Sequence, residues 1–383
     1  MKKLAIIGAS YLQEPLIQKA KHMGLETHVF AWACGDVGER SADYFYPISI
    51  VEKEEILQKC REIGIDGICS IASDLASIAV NYVASEMGLT GNSMECTHIS
   101  TDKNAMRKQF QEYGDPSPKS ILVETISDLA GVDLHYPVIV KPVDRSGSRG
   151  ITKLMTPIGL EEAIETAKEQ GFQKAALVEE FAEGQEYSVE YVSWQGKHHF
   201  LAMTKKYTTG APHFIETGHL QPAPIDTELL GKVQQVTCHA LDSLKIRNGA
   251  SHTELKIADD GTIKLIEIGG RMGGDFIGSD LVELSTGVDF VRAVIQVALG
   301  QEPELKPIHK PGSACVRFVF SESDIEVLRQ VESVHSEYLV QKDVQEIGNR
   351  KVVDSSTRFG YFLMSAETSN TLEPYLPQKE IDC

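Results

Sequence analysis

The chain has 383 residues, 42% of them hydrophobic and 24% charged, and a formal net charge of -18 at pH 7. That length is too great for one compact core, and the composition is typical of an ordinary globular protein, so about two to four domains are expected. The acidic charge argues against nucleic acid or an anionic membrane as partner, and no apolar run approaches the roughly 18 residues of a membrane span.

Cysteine usage indicates the compartment. The seven cysteines are scattered and never spaced as CxxC, which argues against a disulfide framework or a zinc site and for a reducing environment. The N-terminal stretch MKKLAIIGAS is basic and then apolar, like a signal peptide, but the apolar run is short and charges resume at Glu14. We therefore predict a first strand there and a cytoplasmic protein.

The first 92 residues alternate between strand and helix patterns. The predicted elements are a strand at 4–7, a helix to about residue 23, a strand at 26–32, a helix near 52–63, a strand at 67–71 and a helix at 77–87. This spacing indicates a doubly wound parallel sheet. The first turn, GASYLQ, keeps only one glycine of the dinucleotide motif GxGxxG, so a structural turn is preferred to a redox cofactor site.

The rest of the chain mixes helices and strands. We predict a helix capped near Ser100 or Thr101, strands at 120–123, 138–141 and 175–180, helices at 160–170, 226–244 and 281–299, mainly strands elsewhere from 185 to 268, and strands at 314–320 and 361–365. The predicted fold class is α/β, with α+β character in the central part. Domain boundaries are predicted at 1–92, 93–310 and 311–383.

A basic, glycine-rich loop follows one of the predicted strands. Lys141 ends the run VIVK, and the loop after it reads PVDRSGSRG. In a Walker A loop the lysine follows the glycines, so this is a different motif. Backbone N–H groups, serine hydroxyls and basic side chains can still bind phosphate. A solvated surface turn is the alternative.

Two glutamates are predicted to face each other across a hairpin. In SHTELKIADDGTIKLIEIGG, the Asp-Gly pair at 260–261 suits a two-residue turn. That register places Glu254 opposite Glu267, with His252 opposite Gly269. Facing like charges destabilise a hairpin, whereas Mg²⁺ shared between the carboxylates and substrate phosphates would stabilise it. Exposed, unpaired glutamates are the alternative, and a bulge in the turn would break the pairing.

An arginine surrounded by glycines follows the second glutamate in EIGGRMGGD. Glycines let the backbone approach a ligand closely, and Arg271 is suited to hold a carboxylate or phosphoryl oxygen. A flexible strand exit is the alternative.

Five segments in order carry a family resemblance: TDKNAMR, VIVKPVDRSGSRGI, LVEEFAEGQEYSVE, HTELKI and IEIGGRMGGD. With them the chain resembles the ATP-grasp superfamily, and within it the ADP-forming carboxylate–amine ligases of the L-amino acid ligase branch, over nearly its whole length. The resemblance implies a doubly wound N-terminal domain, a central ATP-grasp domain with a mobile lid at about 116–181, and a small mixed C-terminal subdomain. It also implies ATP and Mg²⁺, with Mn²⁺ as an alternative, as cofactors.

The resemblance further implies roles for individual residues. The residues implied to bind ATP are Lys103, Lys141, Arg145, Ser146, Gly147, Ser148, Glu180, Ala182 and Glu186. The metal ligands are Glu254 and Glu267, and the catalytic residues are Arg271 and Lys141. The residues implied or considered for substrate binding are His252, Arg271, Gly273, Gly274 and Asp275. Many family members place an asparagine ligand where this chain has Gly269, so the number of metal ions stays open; His252 is a candidate substitute, a substrate contact or an ordinary strand residue.

The implied reaction transfers the γ-phosphoryl group of ATP to a carboxylate, giving an acyl phosphate that an amine then attacks to form an amide. Amino acids are the expected substrates, from the EIGGR variant and the tail segment DSSTRFGYF. A bicarbonate-activating enzyme is one alternative, and an ATP-binding protein without turnover is another. The expected partners are small molecules and a second copy of the chain, with no nucleic acid or membrane.

Overall fold

The computed structural model describes residues 1–145, 149–211, 214–348 and 351–377. The strands are β1 (Lys3–Ile7), β2 (Glu26–Phe30), β3 (Tyr44–Tyr46), β4 (Gly67–Cys69), β5 (Ser120–Val123), β6 (Val138–Pro142), β7 (Thr152–Leu154), β8 (Ala176–Glu180), β9 (Gln185–Trp194), β10 (Lys197–Thr208), β11 (Glu216–Gln221), β12 (Gly249–Ile257), β13 (Ile263–Gly269), β14 (Ser313–Phe318), β15 (Leu339–Val344) and β16 (Gly360–Ala366). The helices are α1 (Glu14–His22), α2 (Val37–Ser41), α3 (Lys53–Ile63), α4 (Asp74–Met87), α5 (Met94–Thr101), α6 (Lys103–Tyr113), α7 (Leu160–Gln170), α8 (Thr227–Ser243), α9 (Val282–Thr286), α10 (Phe290–Ala298), α11 (Glu322–Val334) and α12 (Ser369–Leu372). Within these ranges, none of the helices combines the length and the hydropathy needed to cross a lipid bilayer.

The N-terminal sheet is parallel and four-stranded, in the order β3-β2-β1-β4. Its central strand β1 is a continuous apolar run, as expected for a parallel strand covered on both faces. Helices α1 and α10 cover one face, and α3 and α4 cover the other. The predicted doubly wound sheet is confirmed, although α2 and β3 were not predicted.

A second four-stranded sheet, which we call the lid sheet, has the order β5-β8-β6-β7 with antiparallel neighbours. Apolar residues of β6 and β8 pack against Ala163, Ile164 and Ala167 of α7. All of these elements fall within the predicted lid at 116–181, which itself stays a prediction.

The large sheet has eight strands in the order β13-β12-β9-β10-β11-β14-β16-β15. Strand β11 pairs with β14, with Leu220 opposite Cys315, so the C-terminal strands extend the sheet formed by the central ones. Helices α6 and α8 cover one face of the sheet at its β12–β13 end. The predicted domain boundaries stay predictions. Hydrogen bonds between β11 and β14 join the segments before and after the predicted boundary at residue 311 into one sheet.

Two predicted helices differ from those in the structure. The helix predicted at 281–299 is α9 and α10, because Gly287 ends α9 in the left-handed region (φ +78°) and Asp289 caps α10 by accepting from the Arg292 N–H. The other helix was predicted to begin after a cap near Ser100 or Thr101, and that start is wrong. Those two residues belong to α5, and the side chain of Asp102 caps α6. Helix α11 and strand β15 were not predicted.

Candidate active site

Two adjoining cavities lie between the large sheet and the elements around it. The smaller cavity, of about 180 Å³, extends to the lid sheet through Ile139, Ile151 and Phe181. The larger cavity, of about 680 Å³, extends to the N-terminal sheet loops and the C-terminal strands. Five residues line both cavities: Lys206, Glu216, His252, Glu254 and Arg271. Ligands in the two cavities would therefore meet over a shared strip of charged side chains.

The predicted pairing of Glu254 with Glu267 is present, but it arises differently from the prediction. The Ala258 N–H donates to the Thr262 carbonyl (3.0 Å), and Gly261 has φ +84°, so the loop has three residues rather than two. This turn shifts the register by one position. An irregularity just after Glu254 shifts it back, and Glu254 then pairs with Glu267. The predicted two-residue turn is wrong, and a compensating bulge restores the facing carboxylates.

A buried lysine stands among carboxylates beside the first glutamate. The ammonium nitrogen of Lys206, on β10, lies 2.8 Å from Glu254, 2.9 Å from Glu186 and 3.7 Å from Glu216. Burial opposes its charge, but these acids outweigh burial and hold the pKa of Lys206 well above its usual range. Burial likewise opposes ionisation of Glu254, and Lys206 outweighs it, so the pKa of Glu254 is well below its usual range. Sequence reasoning missed Lys206, although it lies in the strand run KHHFLAMTKKYT.

The second glutamate also has a cationic partner. Lys103 Nζ donates to Glu267 Oε1 (2.8 Å) and to the Arg145 carbonyl (2.9 Å). Each predicted metal ligand thus accepts a hydrogen bond from an ammonium group. No cluster of three or more potential metal-ligating side chains is found in the part of the chain that the structure describes. Two facing carboxylates without a third protein ligand suit Mg²⁺, which is commonly held by one or two carboxylates and completed by phosphate oxygens and water.

Lys141 is held by a carboxylate that the sequence did not single out. Its ammonium lies 2.6 Å from Glu179, which also accepts hydrogen bonds from Arg107 at 2.8 and 3.3 Å. Burial raises the pKa of Glu179, but Arg107 and Lys141 outweigh it and lower the pKa to about 2. Burial lowers the pKa of Lys141, partly offset by Glu179. The predicted phosphate-binding lysine is therefore fixed in the wall of the smaller cavity before any ligand binds.

The end of β8 forms an apolar part of the same cavity. Glu180 donates its N–H to the Lys119 carbonyl (2.9 Å) and Phe181 donates to the Pro137 carbonyl (3.2 Å). Phe181 and Ala182 both line the cavity. Glu180 and Ala182, which the resemblance implies to bind ATP, thus lie beside apolar walls that would suit a flat base.

The described residues of the basic loop include one that lies at the smaller cavity. Arg145 lines the smaller cavity, and its guanidinium stacks over the Phe172 ring at 4.7 Å. Ser146, Gly147 and Ser148 lie outside the described residues.

Arg271 reaches across to the N-terminal sheet unit. Its Nε and Nη2 donate to the two carboxylate oxygens of Asp74, each at 2.8 Å. Asp74 begins helix α4, and sequence reasoning missed it. A Cβ at Gly269 would lie 2.5 Å from Asp74 Oδ1 and 3.1 Å from Arg271 Nε. The ion pair therefore occupies the space that the asparagine of other family members would need.

His252 is buried between two carboxylates. Its Nδ1 contacts Glu190 and its Nε2 lies 3.3 Å from Glu254 Oε1. Burial lowers its pKa, but Glu190 outweighs burial and the pKa of His252 is raised to about 9. Both ring nitrogens of His252 therefore face carboxylates, one of them that of the predicted metal ligand Glu254. Gly273 packs against it, because a Cβ there would lie 2.7 Å from His252 Nδ1.

Asp275 lies in the larger cavity next to the C-terminal segment that the sequence pointed to. Arg358, in DSSTRFGYF, donates to Asp275 (2.8 Å) and to Glu216 (3.2 Å), and its guanidinium stacks over Phe318 at 3.7 Å. Burial raises the pKa of Asp275, but Arg358 outweighs it and the pKa is lowered. Gly274 lines the same cavity. Asp275, which was considered for substrate binding, is thus paired with a guanidinium.

Comparison with known proteins identifies one domain of the chain. The family model for the ATP-grasp domain matches residues 134–280. The chain is 26% identical over 302 residues to alanine–anticapsin ligase from Bacillus subtilis (strain 168), covering 69% of this chain and 64% of that protein. The chain contains an ATP-grasp domain.

Other ATP-grasp proteins extend the match. D-alanine–D-alanine ligase from Ralstonia nicotianae is 26% identical over 233 residues, covering 57% of this chain and 69% of that protein. The crystal structure of L-amino acid ligase from Bacillus licheniformis superimposes with a TM-score of 0.83 at 24% identity, over 98% of this chain and 96% of that one. The predicted family and fold class are confirmed, and the relatives are ligases by name, in agreement with the predicted class of enzyme.

Proposed function

We propose that this ATP-grasp protein is an ADP-forming ligase that phosphorylates the carboxylate of one amino acid and joins it to the amino group of another. The observation that carries the proposal is the junction of the two cavities. Facing Glu254 and Glu267 lie beside the smaller cavity, and Arg271 lines both cavities. A nucleotide in the smaller cavity would present its terminal phosphate to an acid in the larger one.

The basic side chains of the smaller cavity bind the nucleotide phosphates. Lys103 and Lys141 both line it, and each ammonium already rests against a carboxylate, so little reorganisation is needed when phosphate binds. When bound by Glu254 and Glu267, Mg²⁺ supplies further neutralisation of phosphate charge.

Arg271 orients the reacting carboxylate. Its guanidinium is fixed by Asp74 on one edge, and its remaining donors suit carboxylate and phosphoryl oxygens. Phosphoryl transfer needs positioning and charge neutralisation more than a protein nucleophile. The acyl phosphate formed at this junction then meets the amine of the second amino acid, and phosphate leaves as the amide forms.

The test is a phosphate- and ADP-release screen over pairs of amino acids with Mg-ATP, followed by mass spectrometry of the product. A condensed product whose mass equals the two amino acids less one water supports the proposal. ADP release that depends on bicarbonate alone would instead identify a carboxyphosphate-forming enzyme. ATP binding without release in any mixture would identify a protein without turnover.

The larger cavity has room for an amino-acid substrate. Its volume of about 680 Å³ is within the range of sites for drug-sized ligands. The charged residues of the junction are all present, which disfavours loss of turnover.

The remaining predictions concern the setting of the protein. The reducing, cytoplasmic environment that the cysteine spacing indicates stays a prediction. The predicted homodimer is tested by sedimentation of the purified chain.

A further inference from the structure

A buried histidine at the larger cavity has unused hydrogen-bonding capacity. His219, on β11, is 1% exposed and lines this cavity. Neither of its ring nitrogens has a hydrogen-bond partner in residues 1–145, 149–211, 214–348 or 351–377. Buried side-chain polar atoms are nearly always hydrogen-bonded, so two bare nitrogens on one ring beside a cavity point to a ligand.

The sheet register directs this ring toward the site. His219 pairs with Lys206 on β10, and the register between β10 and β11 shifts by one residue between Tyr207 and Thr208. Residues three apart on a regular strand face opposite sides of a sheet. The shift lets both Glu216 and His219 reach the larger cavity on the same side as Lys206.

Aromatic rings surround the histidine. Phe318 meets it edge-on, with ring centroids 5.6 Å apart. Phe276 continues the wall, with its ring centroid 6.4 Å from that of Phe318 and 4.2 Å from that of Tyr361. Burial lowers the pKa of His219 to about 3, so the imidazole is neutral at ordinary pH. A neutral imidazole offers one N–H donor and one acceptor nitrogen.

The charged groups near His219 are engaged with one another. Arg358 bonds to Asp275 and Glu216, and Lys206 lies among its three glutamates. An anionic ligand group would meet Asp275 and Glu216, and a cationic one would meet Arg358 and Lys206. A group that carries charge is therefore disfavoured at His219, and a hydrocarbon would leave both nitrogens buried without partners.

We propose that His219 selects the amino-acid substrate of the larger cavity by hydrogen bonding to an uncharged polar side chain, a hydroxyl or a carboxamide. This inference rests on the proposed ligase function and names its substrate class. A site built to hydrogen-bond a substrate rejects the analogue that lacks the group far more strongly than an apolar pocket discriminates by size.

The test compares near-isosteric substrates on the unmodified protein. Phosphate release with Mg-ATP is measured for L-threonine against L-valine and for L-asparagine against L-leucine, each combined with every standard amino acid as the second substrate. We expect kcat/KM to be at least about tenfold higher for the polar member of a pair. His219→Phe should abolish this preference, and His219→Gln, which keeps a donor and an acceptor, should retain it. The KM for ATP should be unchanged, because His219 lines the larger cavity and not the smaller.

The outcomes separate this inference from the function on which it rests. Turnover with amino acids but equal rates for threonine and valine, and for asparagine and leucine, overturns the inference and leaves the ligase intact. The same holds if His219→Phe folds and keeps the polar preference. If His219→Phe does not fold, the comparison on the unmodified protein decides. Absence of amino-acid-dependent ADP release from the whole screen overturns the proposed function and this inference together.

Discussion

The ion pair between Arg271 and Asp74 offers the sharpest test of the proposed site. Asp74→Asn keeps the shape of the side chain and one hydrogen-bond acceptor but removes the charge and half of the bidentate contact. The two side chains are 15% and 16% exposed. Breaking a fully buried pair costs about 3–5 kcal/mol, so this slightly exposed pair should lose about 3 kcal/mol. A loosened arginine beside the reacting groups should lower kcat/KM by about 100-fold.

The assay is amino-acid-dependent ADP release, with urea unfolding measured in parallel. Asp133→Asn is the matched control, because the Asp133 side chain is 90% exposed and the loss of its charge should change neither quantity. KM for ATP should change less than kcat/KM for the amino acids, since Asp74 itself lines the larger cavity and not the smaller. Full activity in Asp74→Asn would show that the orientation of Arg271 does not matter, and the proposed role of Arg271 would fail with it.

Four other substitutions probe the remaining parts of the site. Glu267→Gln should lower Mg-dependent ADP formation by more than about 100-fold. Loss of a direct metal ligand should cost more than loss of a residue that only contacts a ligand, which costs up to about 100-fold. Lys141→Ala should weaken ATP binding about tenfold, as expected for a lost hydrogen bond to a charged group and measured by calorimetry. Gly269→Asn should slow turnover, because its Cβ would displace the Arg271 ion pair. His219→Phe should remove a pH dependence of stability: the folded pKa of about 3 lies below the ordinary 6.5, so the original chain is destabilised as pH falls below 6.5, by about 2 kcal/mol at pH 5.

Each of these results has a contrary outcome. Unchanged Mg-dependent turnover in Glu267→Gln would remove the metal assignment, and unaltered nucleotide affinity in Lys141→Ala would remove the phosphate role. A faster enzyme in Gly269→Asn would mean that the asparagine is accommodated as a metal ligand. An equal slope of stability against pH with and without His219 would show that its imidazole is not buried in the neutral form.

The sequence predicted those parts of the site that depend on local pattern. Alternation and a turn signal placed Glu254 opposite Glu267, yet the turn has three residues and the pairing survives only because a bulge after Glu254 restores it. The turn and the bulge shift the register between β12 and β13 by one residue in opposite directions. The pattern of apolar and polar residues in the sequence reveals neither shift. The predicted pairing of the two glutamates was therefore correct, although the turn from which it was predicted was wrong.

The sequence did not predict partners that meet through tertiary structure. Asp74 and Arg271 are 197 positions apart, and Lys103 and Glu267 are 164 apart. Such pairs obey no spacing rule, because the topology of the sheets brings them together. Glu179, by contrast, is the neighbour of the predicted Glu180 in a predicted strand. Because successive side chains of a strand point to opposite faces, one of these two glutamates had to lie on the same face as the lysine of the neighbouring strand.

The eight-stranded sheet has one mechanical consequence. The nucleotide and the amino acid would both lie against this one sheet, with Lys206 on a strand between them. Moving one half of the sheet relative to the other would break the backbone hydrogen bonds between two neighbouring strands. The distance between the bound nucleotide and the bound amino acid is therefore fixed by the geometry of the sheet. Any closing motion would therefore have to come from the units that pack against the large sheet.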